Sequence, residues 1–175
     1  KAYQDGFYDV SLTLFDRFLK AYMQSDKKPD ALVYIGQCYF AQEKYLKALD
    51  QLEPLLKTQG IERLRDKVLF WLGEIYVKGR DYRQAEEFYQ TLIKNYKDSY
   101  YLLSAYKSLA LAQFNDGKFQ DAVGTYRAIF KQFRDTPSAE EAFFGICESL
   151  YRMKDFSSLE KELSGFVIQY PRSEM

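Results

Sequence analysis

The feature that most constrains this chain is an internal repeat of 37 residues. An aromatic residue recurs at this interval in five places: Tyr8, Tyr45, Tyr82, Phe119 and Phe156. Three neighbouring columns keep the same interval and are apolar in every copy: Phe15, Leu52, Tyr89, Tyr126 and Leu163; Phe18, Leu55, Leu92, Ile129 and Phe166; Leu19, Leu56, Ile93, Phe130 and Val167. In a chain that is 47% apolar, twenty such positions have a chance of roughly 3 × 10⁻⁷. The chain is therefore built from repeats.

The apolar columns predict two helices in each repeat, because their members recur at helical spacing. In one helix a small column follows the aromatic by three residues: Ser11, Ala48, Ala85, Ala122 and Leu159. In the other helix the small column is Gly36, Gly73, Ala110 and Cys147. Small residues beside large ones predict that the paired helices approach closely.

The apolar spacing and the helix start and stop signals predict helices near 7–23, 28–41, 45–57, 61–78, 82–95, 100–115, 119–133, 138–153 and 156–170. Pro54 should kink or split the third helix. Extra residues before Val68 should start the fourth helix about a turn early, and Ser138 with Glu141 should form a capping box. Short polar breaks such as "NDGKF" predict antiparallel helix pairs. We expect a single array over 1–175, with a partial repeat 1–23 and repeats 28–60, 61–97, 98–134 and 137–171.

These motifs resemble the tetratricopeptide repeat (TPR) family. The pattern is clearest in Leu69-x2-Leu72-Gly73-x2-Tyr76 followed by Ala85-x3-Tyr89. The last copy departs from it, with Leu159-x3-Leu163 and then Pro171. The resemblance implies an all-α fold in which antiparallel helix pairs stack into a right-handed superhelix, an α-solenoid. The period of 37 exceeds the family's usual 34 by nearly one helical turn.

A second, looser resemblance concerns the repeat junctions "NYKDS", "QFRDTPS" and "QYPRS". They are similar to the joints of bacterial envelope TPR proteins, such as the outer-membrane barrel-assembly lipoprotein and the TolA-binding cell-division coordinator. This resemblance implies a bacterial periplasmic or envelope-associated location. The chain begins with Lys1, partway through a repeat, which suggests a piece of a longer protein.

Composition argues against several classes of function. Lysine plus arginine and aspartate plus glutamate both total 25, so the chain has no net charge to gather nucleic acid or a membrane surface. No apolar run is long enough to span a bilayer. The absence of histidine removes histidine-based triads and metal sites, and the glycines are too scattered for a phosphate loop. We expect no catalytic residues, no cofactor and no metal, and we expect Cys38 and Cys147 to be unpaired.

A binding site is expected on the first helix of each pair, which lines the concave groove in the TPR family. We expect a protein or peptide partner. The candidates are the non-core columns of that helix: Val33, Gln37, Phe40, Phe70, Glu74, Val77, Lys107, Leu111, Phe114, Phe144, Glu148 and Tyr151. Two interpretations of the aromatic members remain open, because such rings can contact a ligand or pack against the neighbouring helix. Trp71 is expected to pack at a repeat junction.

Two other functions remain possible at this stage. The array could space or dimerise flanking domains, with the groove filled by the protein's own missing segments. Neither end carries a polar cap, so self-association through the ends is also expected. No pattern of polar residues in the sequence supports a role in sensing a small ligand. The family's clamp for C-terminal carboxylates is absent, because its positions hold Val33, Gln37, Trp71, Ser104 and Ser108.

Overall fold

The structure, a computed structural model, describes residues 1–134 and 136–169, with side chains as far as residue 166. Pro171 and the side chain of Val167 lie outside the described residues. Within them the chain forms α1 (Tyr8–Ala21), α2 (Lys28–Ala41), α3 (Tyr45–Leu52), α4 (Arg65–Lys78), α5 (Tyr82–Asn95), α6 (Leu102–Asn115), α7 (Phe119–Gln132), α8 (Pro137–Arg152) and α9 (Phe156–Gln169). Two 3₁₀ helices, Glu53–Lys57 and Glu62–Leu64, lie between α3 and α4.

The chain divides into two compact units, Lys1–Tyr101 and Leu102–Met175. This boundary falls four residues after the predicted repeat boundary at 97/98. Each unit contains helix pairs of the expected kind: α2 packs against α3 and α4 against α5 in the first, and α6 against α7 in the second. The single array over the whole chain stays a prediction.

The repeat period reappears in the helix starts. The aromatic column, Tyr8, Tyr45, Tyr82, Phe119 and Phe156, supplies the first residue of α1, α3, α5, α7 and α9. The helices α2, α4 and α6 also start 37 residues apart, at Lys28, Arg65 and Leu102. The 37-residue pattern in the sequence therefore marks recurring helix starts.

A tight corner joins the two helices of each pair. Its central residue has a left-handed backbone with φ between 59° and 80° in five copies: Gly6, Glu43, Arg80, Gly117 and Lys154. In the fourth copy the Lys118 amide donates to the Gln113 carbonyl at 2.9 Å, and the Gly117 amide donates to the Phe114 carbonyl at 3.0 Å. These bonds satisfy the carbonyls at the helix end, as in a Schellman motif.

Proline splits the third helix as predicted. α3 ends at Leu52, and the next five residues, which include Pro54, form the 3₁₀ helix Glu53–Lys57. Proline lacks the amide that an α-helix would require there. The early start expected before Val68 takes the form of the 3₁₀ helix Glu62–Leu64, and the α-helix itself keeps the 37-residue register.

The predicted capping box is wrong. α8 begins at Pro137 with Thr136 as the N-cap, so Ser138 lies inside the first turn. Proline suits the first helical position because its fixed φ is helical and its missing amide would have no partner. Glu141 instead forms an ion pair with Lys107 of α6.

The small columns form the closest contacts between paired helices. Ser11, Ala48, Ala85 and Ala122 are buried. A Cβ atom at Gly73 would lie 2.5 Å from the Tyr89 ring, so only glycine fits there. Both cysteines are free; Cys38 is buried and Cys147 is partly buried. None of the described helices is both long enough and apolar enough to span a membrane.

Candidate partner-binding surface

Two of the candidate residues are buried in the first unit. Val33 is 0% exposed and Gln37 is 3% exposed. Val33 belongs to the core cluster that also contains Leu64 and Val68. A side chain without exposed surface cannot contact a partner unless the core opens, so the prediction is wrong for Val33 and Gln37.

The remaining candidates of the first unit are half-buried, and most are held by neighbouring side chains. Phe70 stacks on Tyr101 with ring centroids 4.9 Å apart. The Tyr89 hydroxyl donates to a Glu74 carboxylate oxygen at 2.7 Å. These contacts fix Phe70 and Glu74 within the unit, and Val77 lies half-buried near the end of the same helix.

The contacts of Phe40 show how Trp71 packs. The Phe40 ring meets the Trp71 ring edge to face at 5.0 Å and also meets Tyr45 at 5.5 Å. Because α2 and α4 belong to successive repeats, the prediction that Trp71 packs at a repeat junction is confirmed.

In the second unit, Phe114 has a similar internal role. It meets Phe119 edge to face at 5.2 Å, and the Arg152 guanidinium lies 5.6 Å from its ring centroid. Arg152 also lies 3.7 Å from the Glu148 carboxylate. Phe114, Glu148 and Arg152 thus form one connected cluster at the ends of α6 and α8.

Three apolar candidates of the second unit remain open to solvent. Phe144 and Tyr151 on α8 are each 62% exposed, and Leu111 on α6 is 50% exposed. Seven residues separate Phe144 from Tyr151, so the two rings lie on one face of α8, roughly 10 Å apart along its axis. We call Leu111, Phe144 and Tyr151 the exposed apolar set.

A pocket of about 340 Å³ opens between α6 and α8, and Leu111 is the member of this set that lines it. Leu111, Lys107 and Glu141 line it together with the buried Ile129 and the Tyr126 ring. Tyr126 fits here because α8 carries Gly145, where a Cβ atom would lie 2.6 Å from the ring. Burial, reinforced by the charge of Glu148, raises the pKa of Tyr126, so its hydroxyl stays protonated and can donate a hydrogen bond.

Charges on this face of the second unit balance each other. Lys107 pairs with Glu141, and Glu148 with Arg152. The surface therefore offers apolar contact and shape rather than a field of one sign. Within the described residues no group of three or more cysteine, aspartate or glutamate side chains is arranged to hold a metal ion.

Sequence reasoning missed several residues that line the pocket, among them Ser108, Tyr126, Ser138 and Glu141. Ser108 and Gly145 share one column with Tyr34 and Trp71. The side chains of this column are aromatic in the first two copies and small in the third and fourth. This decrease in size is a signal that could have indicated space between α6 and α8.

Two family models for the tetratricopeptide repeat match the chain, one over residues 1–59 and the other over residues 67–99. The chain belongs to the tetratricopeptide repeat superfamily. The matches fall in the first unit, where the TPR motif is best kept. TPR proteins bind protein partners and are typically non-enzymatic scaffolds.

Solved TPR-like structures share the fold at low sequence identity. The TPR-like repeats of a putative kinesin light chain from Podosopora anserina superpose with a TM-score of 0.74 at 14% identity, over 99% of this chain and 92% of that one. A MamA protein gives 0.74 at 16% identity, over 100% and 91%. BtubC from P. vanneervenii gives 0.76 at 14% identity, over 93% and 73%. These likenesses show an all-α, TPR-like solenoid fold. No curated protein matches the chain significantly by sequence.

Proposed function

We propose that this TPR chain is a non-catalytic scaffold that binds an extended or helical segment of a partner protein. The exposed apolar set of the second unit is the contact surface. The observation that carries the proposal is the exposure of Phe144 and Tyr151 on one face of α8. Large rings left in water on one face of a helix are typical of a protein-binding surface.

The spacing of the two rings suits a peptide backbone. A distance of roughly 10 Å corresponds to two turns of a partner helix or about three residues of an extended segment. Burying the exposed parts of both rings would contribute about 2–4 kcal/mol. Leu111 and the adjoining pocket would accept one apolar side chain of the same segment.

Two observations support a function without catalysis. The chain has no histidine, and the charged residues of the proposed surface, Lys107, Glu141, Glu148 and Arg152, are engaged with one another. A surface of this kind holds a ligand and supplies no general base poised near neutral pH.

An affinity pull-down with the full chain tests the proposal. Phe144→Glu should remove partner proteins that the wild type retains, because a carboxylate cannot be buried against an apolar segment without cost. Leu46→Glu is the matched control, since Leu46 is 79% exposed on α3 of the first unit. Circular dichroism should show unchanged helicity for both variants. Equal partner capture by Phe144→Glu and wild type would contradict the proposal.

One observation favours the alternative, a spacer or self-association module. α1 and the turn before it expose Phe7, Val10 and Leu14, and an apolar pocket of about 290 Å³ lies between Leu14 and Tyr34. A second copy of this chain would cover that face. Sedimentation should then show a concentration-dependent dimer that Leu14→Glu abolishes. A monomer at every concentration would rule this alternative out.

A further inference from the structure

We propose a second binding site in the first unit, a cleft that takes a carboxylate of a peptide through Arg65. It lies between the 3₁₀ helix Glu53–Lys57, the start of α4 and α5. Two adjoining pockets of about 380 and 580 Å³ form it and share Leu56 and Phe88. We call this the Arg65 cleft.

The cleft lies where Pro54 interrupts the second helix of the pair. α5 and α7 each continue for 14 residues, whereas α3 stops after eight and the chain turns into a 3₁₀ helix. The cleft is lined on one side by this 3₁₀ helix.

Its apolar side is held in place. The Phe88 ring stacks on Tyr76 with centroids 5.5 Å apart and planes inclined by 20°, and the Tyr76 hydroxyl donates to Glu53 at 2.8 Å.

Arg65 differs in burial from the other cation of its column, because Lys28, the first residue of α2, is exposed and Arg65 is half-buried. The equivalent residues in the next two copies are Leu102, the first residue of α6, and Ala139, the third residue of α8. Both are buried. A position that is apolar in those copies therefore carries a guanidinium here. Leucine or alanine fills this position in two copies, so packing does not require a half-buried guanidinium in α4.

The Arg65 guanidinium has no anion within the described residues. Its Nε atom is buried and makes no hydrogen bond there. The nearby carboxylates are engaged elsewhere: Asp66 accepts from the Ser99 hydroxyl at 2.6 Å and Glu53 accepts from Tyr76. Glu87 lies 4.0 Å from the Arg83 guanidinium and accepts from the Gln84 side-chain amide at 3.4 Å. A buried donor of this kind gains most from a charged acceptor, because a charge-assisted hydrogen bond is about twice as strong as a neutral one.

The residues around Arg65 determine which chemical group the cleft can bind. One guanidinium offers a planar fork that fits a carboxylate through two parallel hydrogen bonds. Lys57, Glu53 and Glu87 also line the cleft, so its charges balance with Arg65 and favour a singly charged group over a doubly charged one such as phosphate. Leu56, Leu69 and Phe88 supply apolar contact around the fork. The ligand is therefore a carboxylate flanked by apolar side chains, from either an acidic residue or a chain terminus.

Titration of the full chain with three short peptides tests this. The probes are acetyl-Leu-Glu-Leu-amide, its glutamine counterpart acetyl-Leu-Gln-Leu-amide, and acetyl-Leu-Leu with a free C-terminal carboxylate. The readout is the Nε–Hε resonance of Arg65 in NMR spectra. We expect a saturable shift with at least one carboxylate peptide, and the stronger binder identifies the source of the carboxylate. The glutamine peptide should bind roughly tenfold more weakly.

Variants complete the experiment. Arg65→Leu introduces the residue of the α6 copy, so it should fold with an unchanged or higher melting temperature and lose carboxylate binding. In this variant the readout is the backbone amide resonances of Leu56 and Phe88, which line the cleft. Arg83→Leu is the matched control, because Arg83 is exposed on α5 near the same cleft. Phe144→Glu should leave peptide binding unchanged, which separates this site from the proposed scaffold surface. Equal binding of the glutamate and glutamine peptides, or an Arg65 resonance that does not move, would overturn the proposal.

Discussion

The ring of Phe114 meets the ring of Phe119 edge to face, with centroids 5.2 Å apart and planes inclined by 69°. The same pair recurs in three further copies at centroid distances of 5.5 to 6.1 Å: Tyr3 with Tyr8, Phe40 with Tyr45, and Tyr151 with Phe156. The second ring of each pair starts a helix. The first ring belongs to the end of the preceding helix at Phe40, Phe114 and Tyr151, and to the turn before α1 at Tyr3. The contact closes the corner between paired helices.

This contact settles how the aromatic column of the first helix is used. Tyr3, Phe40 and Phe114 pack within their own units. Tyr151 makes the same contact with Phe156 yet remains 62% exposed, so it packs on one side and faces solvent on the other.

Phe114→Ala should lower the free energy of unfolding by about 2–3 kcal/mol, because it removes the contacts with Phe119 and Arg152. Phe144→Ala is the control and should change it by no more than about 0.5 kcal/mol, since Phe144 is mainly in water. Urea denaturation followed by circular dichroism measures both. Equal losses would mean that the two rings have the same structural role.

Gly117→Ala should lower stability by about 1 kcal/mol, because φ at Gly117 is +77° and a Cβ atom is strained there. The cost is modest, since Glu43, Arg80 and Lys154 occupy the same conformation. Gly124→Ala should instead raise stability by roughly 0.5–1 kcal/mol, because Gly124 lies inside α7 with open space around it. Thermal melts of both variants against wild type should move in opposite directions; a shift in the same direction would contradict the corner geometry.

Gly73→Ala should destabilise the first unit by about 1–3 kcal/mol despite alanine's better helix propensity. The added methyl would lie 2.5 Å from the Tyr89 ring, whose hydroxyl is tied to Glu74. The double variant Gly73→Ala, Tyr89→Leu should recover part of the loss. If the single change stabilises the protein, α4 and α5 do not approach as closely as described.

Alkaline pH should weaken the first unit through Cys38. Burial raises the pKa of the Cys38 thiol to about 11, whereas an unfolded thiol ionises near pH 8.5. The unfolded chain thus loses its proton first, so stability is full below about pH 8.5 and falls as the pH rises toward 11. Cys38→Ala should show a shallower fall between about pH 8 and pH 10 in urea titrations. Parallel curves for the two proteins would contradict the raised pKa.

The sequence predicted the helix boundaries well, because the repeat is a pattern of packing as well as of residue type. α5 begins at Tyr82 and ends at Asn95, as expected. α3 ends before Pro54 because proline has no amide to donate to a helical carbonyl. The left-handed corner was less visible. Glycine marks it at Gly117, but Arg80 and Lys154 hold the same conformation without that signal.

Side-chain exposure was predicted less well. Val33 and Gln37 share the columns of Phe70 and Glu74, but neighbouring elements cover them. The apolar spacing of one helix does not show which other elements pack against it. Thr136 replaced Ser138 as the N-cap because Pro137 fixed the start of α8. Arg65 was not predicted as a site residue, because its column holds Lys28, Leu102 and Ala139 in the other copies and a column of mixed residue types carries no periodic signal.

Site-specific photo-crosslinking tests most directly whether the surface around Phe144 binds a partner protein. A benzophenone amino acid is placed at position 144 or, as control, at position 46, and crosslinked peptides of the captured protein are identified by mass spectrometry. We predict adducts from position 144 that converge on one short segment of one partner protein, with none from position 46. Adducts from position 46 that match those from position 144, or none at position 144 from a folded protein, would contradict this prediction.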